Sequence, residues 1–326
     1  MLLSIIVPCY NEEAVVRSTH ERLTSVFNKM PEVSYELIFV NDGSIDQTQQ
    51  ILSELQQHDA HVRVLRLSRN FGHQIALSAG LEEAVGDAVV AIDADLQDPP
   101  EVIPDMLDLW RQGNHVVFGI RLQREGESRF KNWTAKAFYR LINRLSETKV
   151  PLDAGDFRLL DRRVVEVIKD MPERARFLRG MVSWAGFRQS SVPYVRAPRQ
   201  AGESKYPLGK MVHFAMDGII SFSLVPLKIA IWTGFFAIWL AVAGIIVAVV
   251  DRLLNQGLTR GWASLFVAVL FMGGVQLVSL GIIGEYLGRI YTEVKRRPLY
   301  VVEERLGFEN HRTKVVLGRD EVDAVV

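Results

Sequence analysis

From Leu2 to Gly119, short apolar runs of strand length alternate with segments whose apolar residues recur at helical spacing. That alternation is the pattern of repeated βαβ units and a largely parallel sheet. The runs Leu3 to Val7, Glu36 to Val40, Val62 to Leu67, Ala88 to Ile92 and His115 to Phe118 predict strands, since uninterrupted β-branched stretches suit strands covered on both faces. Helices are expected over Glu12 to Lys29, Asp46 to Gln57, His73 to Val85 and Pro100 to Gln112. Ser44 and Gln47 have the spacing of a capping box, and Gly86 and Gly113 stand where helices would end. The expected fold class is α/β, a mostly parallel sheet with helices on both faces.

After Leu224 the pattern changes. Ile229 to Val250 contains no charged residue and as a helix spans roughly 33 Å, enough to cross a bilayer. Trp262 to Gly284 is a second such segment. Ahead of them, Pro207 to Ser223 places Met211, Phe214, Ala215, Gly218, Ile219 and Phe222 on one side, with Lys210, His213, Asp217 and Ser221 on the other. That suits a helix lying in the membrane interface. The expected organisation is a head over 1–205, an interfacial helix over 206–225, a two-helix membrane domain over 226–290 and a tail over 291–326. Lys210, Lys228, Arg289, Lys295, Arg296 and Arg297 flank the outer ends of the pair, against Arg252 and Arg260 in the connecting loop, which predicts a cytosolic head and tail. Glu285 and Arg289 read as an interfacial ion pair, and Gly273, Gly274, Gly281, Gly284 and Gly288 would permit close helix contacts. Leu299 to Val302 is a short strand candidate.

Composition sharpens this only in places. The 326 residues suffice for about two domains. Lys plus Arg and Asp plus Glu are equal at 38 each, which gives no basic surplus that would argue for nucleic acid. Cys9 is the single cysteine, so an internal disulfide is excluded and a small buried residue is expected. Leu2 to Val7 is too short for the apolar core of a signal peptide and ends at Pro8.

The chemistry concentrates where the strands stop. Ligands of such sheets bind outside the carboxyl ends of the strands. Those ends carry Pro8, Tyr10, Asn11 and Glu12, then Asn41, Asp42, Gly43 and Ser44, then Arg69 and Asn70, then Asp93, Asp95 and Gln97, then Gly119 and Arg121. In an extended segment Asp93, Asp95 and Gln97 leave on one face, where oxygen ligands would suit Mg²⁺ or Mn²⁺ completed by phosphate and water. A D-x-D after a strand also serves as a turn or helix cap. No G-x-G-x-x-G follows the first strand and no G-x-x-x-x-G-K-[ST] occurs, which disfavours dinucleotide and P-loop sites. Tyr10 can stack on a base, Asp42 can accept from a base or ribose, and a cation at Asp95 can bridge a pyrophosphate. The set describes a metal-bound nucleotide diphosphate.

Ile6-Val7-Pro8-Cys9-Tyr10-Asn11-Glu12-Glu13, Val40-Asn41-Asp42-Gly43-Ser44 and Asp93-Ala94-Asp95-Leu96-Gln97 together resemble the inverting family 2 glycosyltransferases with a GT-A fold. The resemblance implies that Pro8, Tyr10, Asn11, Glu12 and Asp42 hold the nucleotide, Asp93 the ribose or sugar side, and Asp95 with Gln97 the metal. Asp93, Asp95 and Asp156 are the implied catalytic carboxylates.

Glu127 to Glu147 reads as a helix with Arg129, Lys136, Arg140 and Arg144 on one side, either a solvated face or a contact for anionic lipid head groups. Asp153 to Asp161 reads as a loop in which Asp156 is either a turn residue or a functional one. Helical patterns follow through Trp184, then a strand pair from Phe187 to Val195. Pro198 to Tyr206 is a glycine-containing loop whose Arg199 and Lys205 are surface charge or acceptor ligands. This last segment resembles the acceptor loop of polyprenyl-phosphate glycosyltransferases, the group that includes dolichol-phosphate mannosyltransferase.

The resemblance to bacterial bactoprenol glucosyltransferases runs nearly to Glu303. It takes in Ser68-Arg69-Asn70-Phe71-Gly72-His73, Asp153 to Arg163, Arg176-Phe177-Leu178-Arg179-Gly180 and Gly284 to Tyr291. It implies transfer of a hexose, UDP-glucose being the first donor, onto undecaprenyl phosphate by an enzyme of the bacterial cytoplasmic membrane, and a homo-oligomer, a tetramer. GDP-mannose and other UDP-sugars stay open. Arg121, Arg129, Lys131, Arg199 and Lys205 are the candidates for the two phosphates, and Asp156 would orient the acceptor or act as base. A processive polysaccharide synthase should carry Q-x-x-R-W, which is absent. A non-catalytic membrane scaffold of the same fold would not need Asp95.

Overall fold

A computed structural model describes residues 1–122, 154–174, 176–195, 225–255 and 262–308. They form two compact units, a head that includes residues 297–308 and a pair of long helices. The expected helices at Pro207 to Ser223 and Glu127 to Glu147 lie outside the described residues.

In the head, β1 (Leu2–Cys9), β2 (Ser34–Asn41), β3 (Val62–Leu67) and β4 (Ala88–Ala91) pair in parallel, as their apolar runs predict. Their connections are α1 (Val16–Phe27), α2 (Thr48–His58) and α3 (His73–Glu83). A 3₁₀ turn at Pro100–Val102 opens α4 (Ile103–Arg111), which leads to β5 (Val116–Arg121). The sheet has eight strands in the order β7-β5-β6-β4-β1-β2-β3-β8.

Three strands correct the expectation. The stretch read as a loop from Asp153 is β6 (Ala154–Asp161), which runs antiparallel to both β4 and β5. It is buried on both faces, with Phe157 and Leu159 on one side and Arg158 and Leu160 on the other. After α5 (Arg162–Asp170) and α6 (Leu178–Trp184), the expected strand pair is the single β7 (Gln189–Tyr194), parallel to β5. The tail strand lies at β8 (Val302–Leu306), antiparallel to β3, and is not a free tail. Its Glu303 pairs with Arg66 at 3.1 Å and its Arg305 with Glu83 at 2.9 Å, charges of the kind that discourage further pairing at a sheet edge.

Two of the expected caps are not formed. Helix α2 starts at Thr48, and the Ser44 hydroxyl accepts the Asn11 N–H at 3.0 Å instead of closing a box with Gln47. Gly86 lies past the end of α3, where its lack of a Cβ lets the backbone run against β1; a Cβ there would stand 2.7 Å from the Ser4 nitrogen. Gly113 does follow its helix, with φ +90 and its N–H on the Trp110 carbonyl.

Helix α3 packs on the sheet through small residues. Ala76, Ala79 and Gly80 are buried, and a Cβ on Gly80 would meet Ile6 Cγ2 at 2.3 Å. The start of α3, with His73, is thereby held at the carboxyl rim.

At the opposite end of the strands Glu36 is 2% exposed. It accepts from the Ser4 hydroxyl and the Val85 N–H and pairs with Arg63. A buried carboxylate is tolerated only with such partners. Glu36→Gln, which removes the charge, is expected to lower stability by about 2 kcal/mol in a denaturant titration.

The second unit consists of α7 (Val225–Asn255) and α8 (Trp262–Val294). Each contains a window long and apolar enough to cross a membrane, Leu227–Val247 and Ala268–Val294, and these are 6% and 0% buried. Core helices of a soluble protein would be covered, whereas here Trp232, Phe235 and Trp239 are all more than half exposed. Helix α8 runs past the expected boundary at 290, and Arg289 Nε lies 3.5 Å from Glu285 Oε1, the predicted pair.

Candidate active site

The loops after β1, β2 and β3 are stitched to one another. Asn11 adopts φ 56, and its side-chain oxygen accepts the Ile45 N–H at 2.9 Å. The Glu12 N–H donates to Thr48 Oγ1 at 2.9 Å. Asp42 is 2% exposed and accepts the Phe71 and Gly72 N–H groups at 2.7 and 2.9 Å. Burial pushes its carboxyl up, against the pull of those two N–H groups. Gly43, at φ +66, lets the second and third loops touch, since a Cβ would stand 2.4 Å from the Arg69 carbonyl carbon. Asn11 and Asp42 therefore shape the rim, while Tyr10 is 37% exposed on it and Pro8 is buried beneath.

Beyond β4 the expected alternation holds in burial. Asp93, Asp95 and Gln97 are half-buried, whereas Ala94, Leu96 and Asp98 are buried. The backbone differs from the extended segment assumed, because Leu96 takes φ 57 and the Gln97 N–H donates to Asp95 Oδ1 at 3.1 Å. Asp98 is fully buried and accepts from the Tyr194 hydroxyl.

Strand β6 brings Asp156 to the same rim. Its register pairs Ala91 with Arg158, and continued by two residues it sets Asp156 opposite Asp93. Arg179 holds Asp156 in a two-pronged bond, Nε to Oδ1 at 2.8 Å and Nη2 to Oδ2 at 2.9 Å. Gln74 Nε2 donates to Oδ2 at 3.3 Å, and Arg158 Nη2 lies 4.0 Å from Oδ1. His73 Nε2 stands 3.4 Å from Asp93 Oδ1 and 3.6 Å from Asp156 Oδ2.

These contacts divide the carboxylates. Burial alone would raise Asp156, but the nearby His73 and the two bonds from Arg179 hold it well below the usual carboxylate range. Burial, joined by Asp156, Asp98 and Asp95, pushes Asp93 up to about 6, against the pull of His73. For His73 burial works downward, yet the two carboxylates lift it to about 9. It is a cation at neutral pH.

Residues 4–169 match the family described as Glycosyl transferase family 2, and residues 225–290 match the GtrB C-terminal hairpin. The chain belongs to glycosyl transferase family 2. It is 48% identical to the glycosyltransferase YkcC of Bacillus subtilis (strain 168), covering 95% of each chain. It is 42% identical to the bactoprenol glucosyl transferase of Shigella phage SfII, over 93% of this chain and 98% of that one. A prophage bactoprenol glucosyl transferase homolog of Escherichia coli (strain K12) is also 42% identical, over 93% and 99%. Among solved structures, glucosyl-3-phosphoglycerate synthase from Mycobacterium tuberculosis in complex with Mn²⁺ and UDP-Glc gives a TM-score of 0.46 at 19% identity, covering 67% of this chain and 77% of that one.

In this family 2 glycosyltransferase the mixed sheet is GT-A-like, and the strand ends expected to carry its site do meet. Pro8, Tyr10, Asn11, Glu12, Asp42, Asp93, Asp95, Gln97 and Asp156 all lie at or beside one rim. Arg121 ends β5, and Arg129, Lys131, Arg199 and Lys205 lie outside the described residues. His73 and Arg179 went unassigned in the sequence; both stand in stretches noted there, but their task depends on β6, which reads as a loop. No three His, Cys, Asp or Glu side chains among the described residues are arranged to hold a metal by themselves. Asp95 and Gln97 offer hard oxygens next to an excess of carboxylates, a setting that fits a divalent cation sharing its coordination with phosphate.

Cys9 in the glycosyltransferase is 1% exposed with Sγ 3.5 Å from the Val7 carbonyl, and burial pushes its thiol up. Iodoacetamide should leave it unmodified until denaturant is added, as mass spectrometry would show.

Proposed function

We propose that this enzyme transfers a hexose, glucose from UDP-glucose first, to the phosphate of a polyprenyl carrier at the cytoplasmic face of a bacterial membrane. The observation that carries the reading is the 42% identity to bactoprenol glucosyl transferases, which extends through both the head and the hairpin. The proposed organisation is a catalytic head over 1–205, an interfacial helix over 206–225, a two-span anchor from 226 and a tail that rejoins the head as β8. Two crossings return the chain to the side it left, which agrees with the pairing of β8 and β3.

The chemistry asks for charge more than for a base. A phosphate monoester carries about −1.5 to −2 charge at neutral pH and is already a nucleophile. One of its oxygens bonds to the anomeric carbon, the bond from that carbon to the diphosphate breaks, and the electron pair leaves with the nucleotide; configuration inverts. No proton has to move. That suits Asp156, which its cations keep from accepting one. The obstacle is repulsion, roughly 4 kcal/mol for each pair of like unit charges at 4 Å and an effective dielectric of 20. Arg121, Arg129, Lys131, Arg199 and Lys205 are proposed to receive the phosphates. Asp95 and Gln97 would hold Mg²⁺ or Mn²⁺, which when bound neutralises the leaving diphosphate.

The test supplies the purified full-length protein with undecaprenyl phosphate, Mg²⁺ or Mn²⁺, and radiolabelled UDP-glucose, UDP-N-acetylglucosamine, UDP-galactose or GDP-mannose in turn. Label from UDP-glucose should enter the organic phase. Turnover of GDP-mannose alone would refute the donor, and transfer from none of them would refute the reaction.

A further inference from the structure

Asp93, just past the end of β4, and Asp156 in β6 both stand against His73, which creates a problem that the fold must solve. Neighbouring like charges repel, and half-burial weakens the screening that water would provide. The side chains are 30% and 13% exposed. Arg179, Arg158 and Gln74 satisfy Asp156. Among the described residues, His73 is the cation that lies within 4 Å of both carboxylates.

Its placement is fixed from three directions. Gly72, at φ +102, turns the chain into α3. Asp42 pins the Phe71 and Gly72 N–H groups just ahead of it. The small face of α3 seats the helix against β1 and β2, with Gly80 over Ile6. Next in sequence, Gln74 bonds Asp156 through its nitrogen and the Leu178 N–H through its oxygen, so that α3 also ties α6, the helix carrying Arg179, to β6.

We propose that His73 is a positioning residue for sugar transfer, an imidazolium that clips the Asp93 and Asp156 carboxylates into one fixed pair at the mouth of the site. The assignment rests on the reaction proposed above, with Asp93 on the donor side and Asp156 on the acceptor side as the family resemblance implies. His73 itself need not touch either substrate.

Two measurements on the full-length protein test the clip. In the first, steady-state transfer is compared for wild type, His73→Asn, which keeps a donor but loses the charge, and His73→Lys, which keeps the charge. His73→Asn should lower kcat by on the order of 10²-fold, as misplaced reacting groups do, with both KM values nearly unchanged, and His73→Lys should restore most of the loss. An effect confined to the KM of one substrate, or a loss that lysine does not relieve, would overturn the proposal. In the second, thermal unfolding is followed for His73→Asn in the wild-type and Asp156→Asn backgrounds. The drop in Tm should be smaller in the Asp156→Asn background, where no pair needs holding; equal drops would overturn the clip. This cycle needs no turnover, so it still decides the matter if wild type transfers no sugar and the reaction assignment fails.

Discussion

Asp95→Ala is expected to lower sugar transfer by on the order of 10²–10³-fold, the rate equivalent of losing several kcal/mol of charge stabilisation on a leaving diphosphate. Asp95 is suited to that task where its neighbours are not. Asp98 is sealed against Tyr194, and Asp93 is engaged with His73. Asp95 stays half-buried at the rim beside Gln97 in a turn fixed by the left-handed Leu96. The check is initial rate against added Mn²⁺ for both proteins: wild type should rise to saturation, and the variant should stay low throughout. Equal rates at every concentration would remove Asp95 from the account.

The second large effect belongs to Arg179. Arg179→Ala strips both prongs from Asp156 and leaves a buried carboxylate short of its main counterion, which is expected to cost about 4 kcal/mol of stability. Denaturant titration in detergent at neutral pH would measure it. The pH dependence has a definite sign. Asp156 is held below its ordinary value of 3.8, so the stability that Arg179 contributes is present above that pH and is lost as pH falls toward the lowered folded value. The gap between wild type and Arg179→Ala should therefore narrow in acid. A constant gap would mean that the fork acts through packing and not through charge.

The parts of this fold that can be read from sequence are those in which one physical signal dominates. Strands β1 to β4 are largely apolar runs because they are covered on both faces, and the hairpin helices show themselves by the long uncharged stretches Ile229 to Val250 and Trp262 to Gly284. Strand β6 hides because Asp156, Arg158 and Asp161 are among its eight residues. The partners that make the two carboxylates tolerable, Arg179 for Asp156 and Trp110 for Asp161, come from other elements, so local propensity reports a loop. Strand β8, Val-Glu-Glu-Arg-Leu, is polar because it is an edge. The site divides in the same way. Asp93, Asp95 and Gln97 announce themselves by spacing, whereas Asn11 and Asp42 look like ligand contacts but also bind the loops together. His73 and Arg179 acquire meaning only once β6 stands beside β4.

The most direct test of the whole account offers the enzyme, with its preferred labelled sugar nucleotide, either undecaprenyl phosphate or undecaprenol, the same lipid without its phosphate. The account predicts labelled glycolipid from the phosphate alone, with the sugar released by mild acid and its anomeric configuration opposite to that in the donor. Equal transfer to the bare alcohol, or a product of retained configuration, would contradict it.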